Sequence, residues 1–408
     1  MKAHLHQYLL PLLFLSLVAC RKNNGPNQDM PDVAFEYLDA EAKSVSVDNP
    51  IHLSQLETVL QDHQFIFTGE SHGVASNYDL ELMMLQYLVE QEWLDYYVPE
   101  LPFSFCYFLG QYLENGDETT LDRLFEPLQG TFSWTAEAKK HWQNVRTLYQ
   151  SLPSDKRFSI VGIEIEHQAR NAAWMMQDLL PELSAPSIMA GEVSSLSEFV
   201  ANKNDNYLDL YNLALDFKAL FISQSPVIKG FLGDKFQQFQ LVNQLVIDTH
   251  EARSDDVFST KRESLIYQNF LRNSELFAAG NSYGQWGANH IYQRDIEGVS
   301  WLAARLNEES LSPVQDAVYS ILYLYHDCKT LLKNPYRKVN FSNLYYVPDF
   351  KKLSSQDLTL FRLDLPGSPF MDELIWPSTS LKLSEGVTTD YVQSLILVQD
   401  SPAASPLN

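Results

Sequence analysis

Residues 65–73 read FIFTGESHG, an apolar run that ends in a carboxylate and an imidazole two residues apart. The run FIFT predicts a short buried strand. If the extended geometry persists, Glu70 and His72 point to the same side. A carboxylate beside a histidine can fix its tautomer and raise its basicity, which suits a general base. Gly69 and Gly73 allow a tight turn around the pair, and an ordinary turn with a polar tip is the alternative.

Short apolar runs alternate with longer helical patterns along the rest of the chain, which is typical of an α/β protein. The predicted strands span residues 65–69, 96–100, 158–164, 276–280, 317–325 and 360–365. The predicted helices span residues 77–93, 103–114, 134–151, 167–180 and 289–307, and residues 231–273 form one helix or two helices broken near 254–256. Residues 185–238 are expected to be a helical insertion or lobe.

Polar residues end three further predicted strands. Glu100 closes the run DYYVPE, where a carboxylate is costly unless it is paired or lies in a solvated cleft. Glu164, Glu166 and His167 follow the run FSIV, and strand alternation would place Glu164 and Glu166 on one face. His290 ends the segment GQWGANH. Each of these residues alone is explained by a helix cap or a solvated loop. Because the carboxyl ends of parallel strands open onto one crevice, we expect the Glu and His side chains to share a site.

The N-terminus predicts an exported lipoprotein. Residues 1–19 read as a signal peptide, with Lys2 at the positive start and an apolar run too short to span a bilayer. The run ends in LVAC, which is similar to the lipobox in which Cys20 becomes the acylated N-terminus. A signal peptide with a chance cysteine is the alternative. Residues 20–32 are expected to be a flexible tether and residues 33–408 the folded domain.

Charge and flanking residues suggest where the protein resides and what it contacts. Arg21 and Lys22 follow Cys20 in place of the aspartate that retains lipoproteins at the inner membrane, so within the cell envelope we expect the outer membrane and not the inner one, with the leaflet left open. The net charge of −23 argues against binding of nucleic acid and against binding to anionic lipid surfaces. The lipid on Cys20 is therefore the only membrane contact that we expect. Cys106 and Cys328 are either a disulfide or two buried thiols.

The motifs, taken in order, resemble the erythromycin-esterase-like family. They are Glu70 with His72, Glu100 after the next strand, Glu164 after GI, and the Gly-x-x-His that ends at His290. The segment KRESLIYQNF, which contains Arg262, also resembles that family's Arg-Asp-x-x-Met-x-x-Asn helix. The resemblance covers about residues 65–306. The wider superfamily includes the ChaN haem-binding lipoproteins and the Tiki and TraB proteins.

Several positions depart from the erythromycin esterase pattern. The first motif is Glu-x-His here and Glu-x-x-His in those esterases, and the shorter spacing is similar to the Gly-Glu-x-His of ChaN. Glu164 and Glu263 stand where aspartate is expected, and Glu81 stands where the esterases tend to have arginine. The motifs therefore resemble those of the superfamily, but they do not imply a macrolide substrate.

The resemblance implies a mixed, mostly parallel central sheet with helices on both faces. It also implies that the protein is a hydrolase in which water attacks an ester or related acyl bond of a small molecule or peptide. His72 would be the general base, oriented by Glu70 or Glu100, and His290 would complete the catalytic set. The chain has no Gly-x-Ser-x-Gly segment, so a serine nucleophile is not expected.

The same resemblance assigns residues to the substrate. Arg262 and His290 would bind the substrate or stabilise the developing oxyanion, as cationic and donor groups do in acyl transfer. Glu164 and Glu166 would lie beside them as further substrate contacts.

Two other classes of function remain open. The short Glu-x-His spacing, the predicted lipid anchor and the 21 tyrosines favour a haem- or iron-binding lipoprotein of the ChaN kind, although such proteins are typically smaller. In a metal-dependent peptidase, Glu70, His72, Glu100 and His290 would supply the oxygen and nitrogen ligands of Mn, Co or Zn. The expected cofactor is therefore either none or a divalent metal.

Overall fold

The computed structural model describes residues 29–47, 50–354 and 357–407, and within these the chain folds around an eight-stranded sheet and a separate hairpin. The strands are β1 (Lys43–Ser44), β2 (Phe65–Glu70), β3 (Tyr96–Tyr97), β4 (Ser159–Ile160), β5 (Ser282–Gly287), β6 (Val318–His326), β7 (Cys328–Leu332), β8 (Arg337–Phe341), β9 (Leu358–Arg362) and β10 (Ser394–Gln399). Strands β7 and β8 form the hairpin, and the sheet order is β1-β9-β10-β6-β2-β5-β3-β4.

The sheet is mixed and mostly parallel, as predicted. Strands β10, β6, β2, β5, β3 and β4 are parallel neighbours, whereas β9 runs antiparallel to both β10 and β1. Strand β2 lies between β5 and β6, and its residues are buried up to Gly69, as in a strand that is covered on both faces. Glu70 pairs with Gly287, so β2 and β5 end at the same level.

The helices occupy both faces of this sheet. They are α1 (Asp32–Glu41), α2 (Glu57–Asp62), α3 (Ser76–Glu90), α4 (Phe103–Asn115), α5 (Glu118–Phe125), α6 (Ala136–Ser151), α7 (Ala169–Asp178), α8 (Ala190–Ala201), α9 (Tyr207–Ser223), α10 (Ser225–Leu232), α11 (Phe236–Arg253), α12 (Phe258–Leu271), α13 (Ser274–Ala279), α14 (Leu302–Glu308) and α15 (Val347–Leu353). Ile66 of β2 belongs to the apolar core with α3, α4 and α6, and its neighbours Phe65 and Phe67 belong to the core with α12 and α14. This arrangement confirms the predicted fold class.

The segment before β5 was assigned incorrectly from sequence. Residues 276–279 are the end of helix α13, Gly280 follows the helix, and the strand begins only at Ser282–Gly287. A short apolar run such as LFAAG does not by itself distinguish a buried helix from a strand, and the glycines of β5 lower its apparent strand propensity. Gly284 is required there, because a Cβ would collide with the carbonyl oxygen of Val98 on the neighbouring segment.

Of two other helix predictions, one was confirmed in one of its alternatives and one was wrong. Residues 231–273 contain two main helices, α11 and α12, broken at 254–257, so the second of the two alternatives is correct. Residues 289–307 are not one helix. A single turn at Ala288–Ile291 is followed by irregular chain with a tight turn at residues 297–298, and α14 begins only at Leu302.

Helices α8, α9 and α10 lie within residues 185–238 and form a lobe. They pack mainly on α7 and α11, so the lobe rests on other helices and not directly on the sheet. The buried side chains of Leu210, Phe217 and Phe239 join this lobe to the larger apolar core.

The described chain begins close to the predicted tether. Met30 is buried, its N–H donates to Asp349 Oδ2 at 2.8 Å, and α1 starts at Asp32, so the last tether positions belong to the folded domain. The predicted signal peptide and Cys20 lie outside the described residues. Within them, no helix is both long and apolar enough to cross a membrane. Cys106 and Cys328 are buried free thiols, not a disulfide.

Candidate active site

Four neighbouring parallel strands bring their carboxyl ends to one cleft. Polar side chains follow the last residues of β2, β3, β4 and β5, and helix α12 adds a cation from the face of the sheet that it covers. The residues that meet there are Glu70, His72, Glu100, Glu164, His290 and Arg262. The structure therefore gathers the four residues proposed to be catalytic, together with Arg262, at one end of the sheet.

Glu70 and His72 form the exposed part of the site. Glu70 Oε1 contacts His72 Nδ1, and Asn77 Nδ2 donates to Glu70 Oε2. The Tyr325 hydroxyl donates to Asn77 Oδ1 at 2.8 Å, which fixes the amide that holds Glu70. The His72 side chain is 46% exposed and that of Glu70 is 11% exposed, so solvent reaches the imidazole but hardly the carboxylate.

The charge of Glu70 controls the protonation of His72. It raises the pKa of His72 to about 9, against the opposing effect of desolvation. Because the pKa lies above neutrality, the neutral imidazole that could act as a base becomes more abundant as the pH rises towards 9.

Gly287 separates His72 from Glu100. A Cβ placed on this glycine would lie 3.4 Å from His72 Cε1, 3.6 Å from His72 Nε2 and 3.4 Å from Glu100 Oε2. The Gly287 N–H donates to Glu100 Oε2 at 2.7 Å. Since Nδ1 of His72 is engaged by Glu70, its Nε2 side and the carboxylate of Glu100 approach the same small space above the glycine.

Arg262 lies beneath this space and joins three groups. Its Nη2 donates to Glu100 Oε1 at 2.7 Å, and its Nε donates to Glu164 Oε1 at 3.1 Å. Its Nη1 lies 3.1 Å from His290 Nε2. Arg262 is only 9% exposed, so it lies below Glu100 and not on the rim, and its guanidinium is occupied by protein groups.

His290 is held from its other side by Glu263. The Nδ1 atom of His290 lies 3.0 Å from Glu263 Oε1, and Glu263 Oε2 accepts a hydrogen bond from the N–H of Leu302 at 3.0 Å. A proton on Nδ1 leaves Nε2 to accept from Arg262 in the neutral ring. Burial opposes the charged form of His290, but the Glu263 carboxylate raises its pKa above the ordinary value.

The cations keep the buried carboxylates ionised. Burial alone would raise the pKa of Glu100, but the charges of His290, Arg262 and His72 bring it down to about 2. Burial alone would also raise the pKa of Glu164, but the positive charge of Arg262 lowers it below the usual range of a carboxyl group. The floor of the cleft is therefore a network of fixed charges at neutral pH.

The expected substrate contacts of Glu164 and Glu166 need correction. Both residues are 0% exposed, so neither can touch a substrate in this conformation. Glu164 binds Arg262, whereas Glu166 accepts hydrogen bonds from the N–H of Ser104 at 2.9 Å and from its hydroxyl at 2.5 Å. The two carboxylates do not share one face because strand β4 ends at Ile160, before the alternation of side chains could reach them.

The donor set does not fit a metal ion. In the part of the chain that the structure describes, no group of three or more His, Cys, Asp or Glu side chains could hold one. The Arg262 guanidinium lies between Glu100 and His290, where an ion bridging these two residues would need to sit. Two of the four candidate ligands, Glu100 and His290, are therefore held by a protein cation, which argues against one metal ion shared by all four.

A second Glu/His cluster was not predicted as a site. The Tyr97 hydroxyl donates to Glu81 Oε1 at 2.5 Å, Glu81 Oε2 lies 3.3 Å from His141 Nε2, and His141 Nδ1 lies 3.2 Å from the carbonyl oxygen of Tyr78. Burial raises the pKa of Glu81 to about 8 and lowers that of His141 to about 4. Of this cluster, only Glu81 stands out in the sequence, because it replaces the arginine of the esterase pattern. His141 lies in an ordinary amphipathic helix and gives no such signal.

A cavity of about 800 Å³ lies apart from both clusters, with residues of α5, α7 and α8 among those lining it. Its lining residues include Arg123, Trp134, Lys139, Arg170 and Lys203. None of the residues at the strand ends lines it. We place the chemistry at the strand ends because the ionisable groups converge there and the imidazole is open to solvent.

Solved structures share this fold. A Bacillus cereus protein is 13% identical, with 92% of this chain and 99% of that chain covered at a TM-score of 0.68. A succinoglycan biosynthesis protein is 12% identical, with 92% and 98% covered at a TM-score of 0.66. A mutant of erythromycin esterase EreC in its open conformation is 12% identical, with 88% and 95% covered at a TM-score of 0.60.

These similarities show that the chain has the fold of erythromycin esterase EreC. The haem-binding ChaN of Campylobacter jejuni is 11% identical and matches 66% of this chain and 85% of its own, at a TM-score of 0.27. No protein-family model and no curated protein matches the sequence.

Proposed function

We propose that this protein is a hydrolase in which His72, held by Glu70, activates water for attack on an ester or related acyl bond of a small molecule or peptide. One observation carries the proposal. The Nε2 side of His72 and the Glu100 carboxylate approach a single space above Gly287, while Nδ1 of His72 is tied to Glu70. The fold shared with erythromycin esterase EreC supports this reaction class.

In the proposed reaction, neutral His72 removes a proton from water at Nε2 as the water oxygen bonds to the acyl carbon. The bond from that carbon to the leaving group then breaks, and the leaving atom takes the proton from His72. Glu70 holds the proton-bearing Nδ1, and the ionised Glu100 accepts a hydrogen bond from the attacking water. The proton removed from water thus ends on the leaving group.

Arg262 and His290 are assigned first to positioning. The positive charge of Arg262 keeps Glu100 ionised and fixes its Oε1, which leaves Oε2 beside Gly287. We keep stabilisation of the oxyanion by Arg262 or His290 as a proposal for the transition state. It requires Arg262 to weaken its bond to Glu100 as negative charge develops on the substrate.

Replacement of His72 by alanine tests the proposal. A panel of aryl esters, lactones and short peptides first identifies a substrate, with and without added Mn²⁺ or Zn²⁺. On that substrate, loss of a general base should lower turnover by about 10²- to 10⁴-fold. The thermal midpoint should change little, because the His72 side chain is 46% exposed.

His63→Ala is the matched control. His63 lies two residues before β2, at the opposite end of that strand from His72, so its loss should leave turnover unchanged. Loss of turnover together with a large loss of stability in His72→Ala would instead assign His72 a structural role. If the wild-type protein hydrolyses nothing in the panel and binds haem stoichiometrically, the ligand-binding class replaces the hydrolase.

We also propose that Cys20 carries lipid and holds the domain at the outer membrane. The proposal rests on the LVAC segment and on the basic residues that follow it. Labelled palmitate should enter the wild-type protein and the Cys106→Ala control, but not Cys20→Ala. Labelling of Cys20→Ala at the wild-type level would contradict the anchor.

A further inference from the structure

The β7–β8 hairpin is fastened to the turn that presents His72. The Thr330 hydroxyl donates to the carbonyl oxygen of His72 at 2.8 Å, and the Leu331 N–H donates to the carbonyl oxygen of Gly73 at 3.0 Å. Gly73 has a φ of +86°, and a Cβ there would lie 2.6 Å from the carbonyl oxygen of Leu331. Glycine therefore permits the close contact that makes the hairpin one wall of the cleft mouth.

The same hairpin holds the loop that carries Phe132. The Tyr336 hydroxyl accepts a hydrogen bond from the N–H of Gly130 at 2.8 Å and donates to the carbonyl oxygen of Thr131 at 3.0 Å. Both the His72 turn and the Phe132 loop are thus bonded to one hairpin, which fixes their relative positions.

Lys333, which follows β7, completes this wall. Its Nζ lies 4.8 Å from the centre of the Phe132 ring, and that ring lies 5.5 Å from the imidazole of His72, centre to centre. The ammonium and the imidazole therefore both lie against the same aromatic ring. Lys333 is only partly exposed, and desolvation lowers its pKa.

The ammonium of Lys333 is not neutralised by a nearby acid. Across the described residues, no carboxylate comes within salt-bridge distance of it, although the chain has 52 acidic and 29 basic residues. An ammonium group offers three hydrogen-bond donors and no acceptor, so its natural partner is an anion.

We propose that Lys333 is a specificity residue that binds a carboxylate or similar anionic group on the acyl part of the substrate. Phe132 supplies the apolar surface for the few methylenes between that group and the bond attacked at His72. The inference rests on the proposed hydrolase function and narrows its substrates to acyl groups that carry a second, anionic end.

Two esters of equal acyl length test the inference. The first is para-nitrophenyl hemiglutarate, which ends in a carboxylate, and the second is para-nitrophenyl valerate, which ends in a methyl group. The wild-type protein should have the higher kcat/KM for the hemiglutarate. Loss of a charge-assisted contact in Lys333→Met should lower that value by about 10- to 100-fold. The value for the valerate should fall less than the value for the hemiglutarate, so that the preference is lost, and Lys333→Arg should keep most of the preference.

Lys338→Met is the matched control, because Lys338 is an exposed lysine of the same hairpin whose Nζ contacts Ser405. Equal wild-type kcat/KM for the two esters, or equal losses in Lys333→Met, would overturn the role of Lys333 and leave the hydrolase intact. If neither ester nor any other compound of the panel is hydrolysed, the proposed hydrolase function is wrong, and the role of Lys333 is wrong with it. Thermal midpoints of all variants show whether the hairpin has stayed folded.

Discussion

Two buried clusters of glutamate and histidine border β5 and its neighbours, and they differ in how their carboxylates are neutralised. At the strand ends, Glu100 and Glu164 surround the guanidinium of Arg262. In the second cluster, which helices α3 and α6 contribute, Glu81 and His141 lie 3.3 Å apart with no arginine among their described partners.

The difference shows that residue type alone does not set protonation. Arg262 and the histidines bring the pKa of Glu100 down to about 2, whereas burial raises that of Glu81 to about 8. The second cluster is therefore neutral at pH 7 and acts as a hydrogen-bonded core. Only the first combines ionised carboxylates with an imidazole open to solvent, which is the arrangement that acid–base chemistry requires.

The largest expected effect comes from removing Arg262, the cation that belongs to the first cluster and has no counterpart among the described partners of the second. Arg262→Gln leaves Glu100 and Glu164 buried without their partner, which should lower the free energy of unfolding by about 3–5 kcal/mol. Arg262→Lys, which keeps the charge, should lose less. Denaturant unfolding at pH 7 measures both variants. A wild-type unfolding free energy for Arg262→Gln would show that the carboxylates are not charged as described.

A paired substitution compares the clusters directly. Glu100→Gln removes a charge that binds Arg262, and it should cost about 1.5–3 kcal/mol and most of the activity. Glu81→Gln replaces a carboxyl group that is already neutral in the folded protein, so at pH 7, where the unfolded chain prefers the ionised carboxylate, it should leave the free energy of unfolding unchanged or raise it. Thermal and denaturant unfolding at pH 7 measure the change in the free energy of unfolding for each variant. Equal costs would contradict the assigned protonation states.

The pH dependence of stability should identify Glu81. Its pKa is raised, so between about pH 4.5 and pH 8 the folded state binds a proton that the unfolded state has released. The wild-type protein therefore loses stability as the pH rises through this window. Glu81→Gln should remove that part of the slope, which is read from thermal midpoints between pH 5 and pH 9. The same dependence of the thermal midpoint on pH in both proteins would show that the pKa of Glu81 is not raised.

The last expected effect concerns the pH–rate profile and not the stability. If neutral His72 is the base, kcat/KM should rise until about pH 9, because Glu70 holds the pKa of His72 there. Glu70→Gln should move the rising limb down towards the ordinary histidine pKa of about 6.5. A profile that falls over the same range would make protonated His72 a general acid and contradict its role as the base.

Local patterns predicted the centre of the fold well. Strand β2 and the contact between Glu70 and His72 follow from a buried apolar run and from side-chain alternation over a few residues. The extension of that alternation to Glu164 and Glu166 failed, because β4 ends four residues before Glu164. The short apolar run before β5 fits a helix and a strand equally well, so its helix was missed.

Local patterns indicated which polar residues lie near the carboxyl ends of the parallel strands, and parallel pairing then brings them to one edge. Their charges and their access to solvent depend on the tertiary structure. Arg262 reaches Glu164 across 98 positions of the chain, and Tyr97 reaches His141 across 44. A pKa depends on the burial and on the charges within a few ångströms, and these come from segments that no local pattern connects.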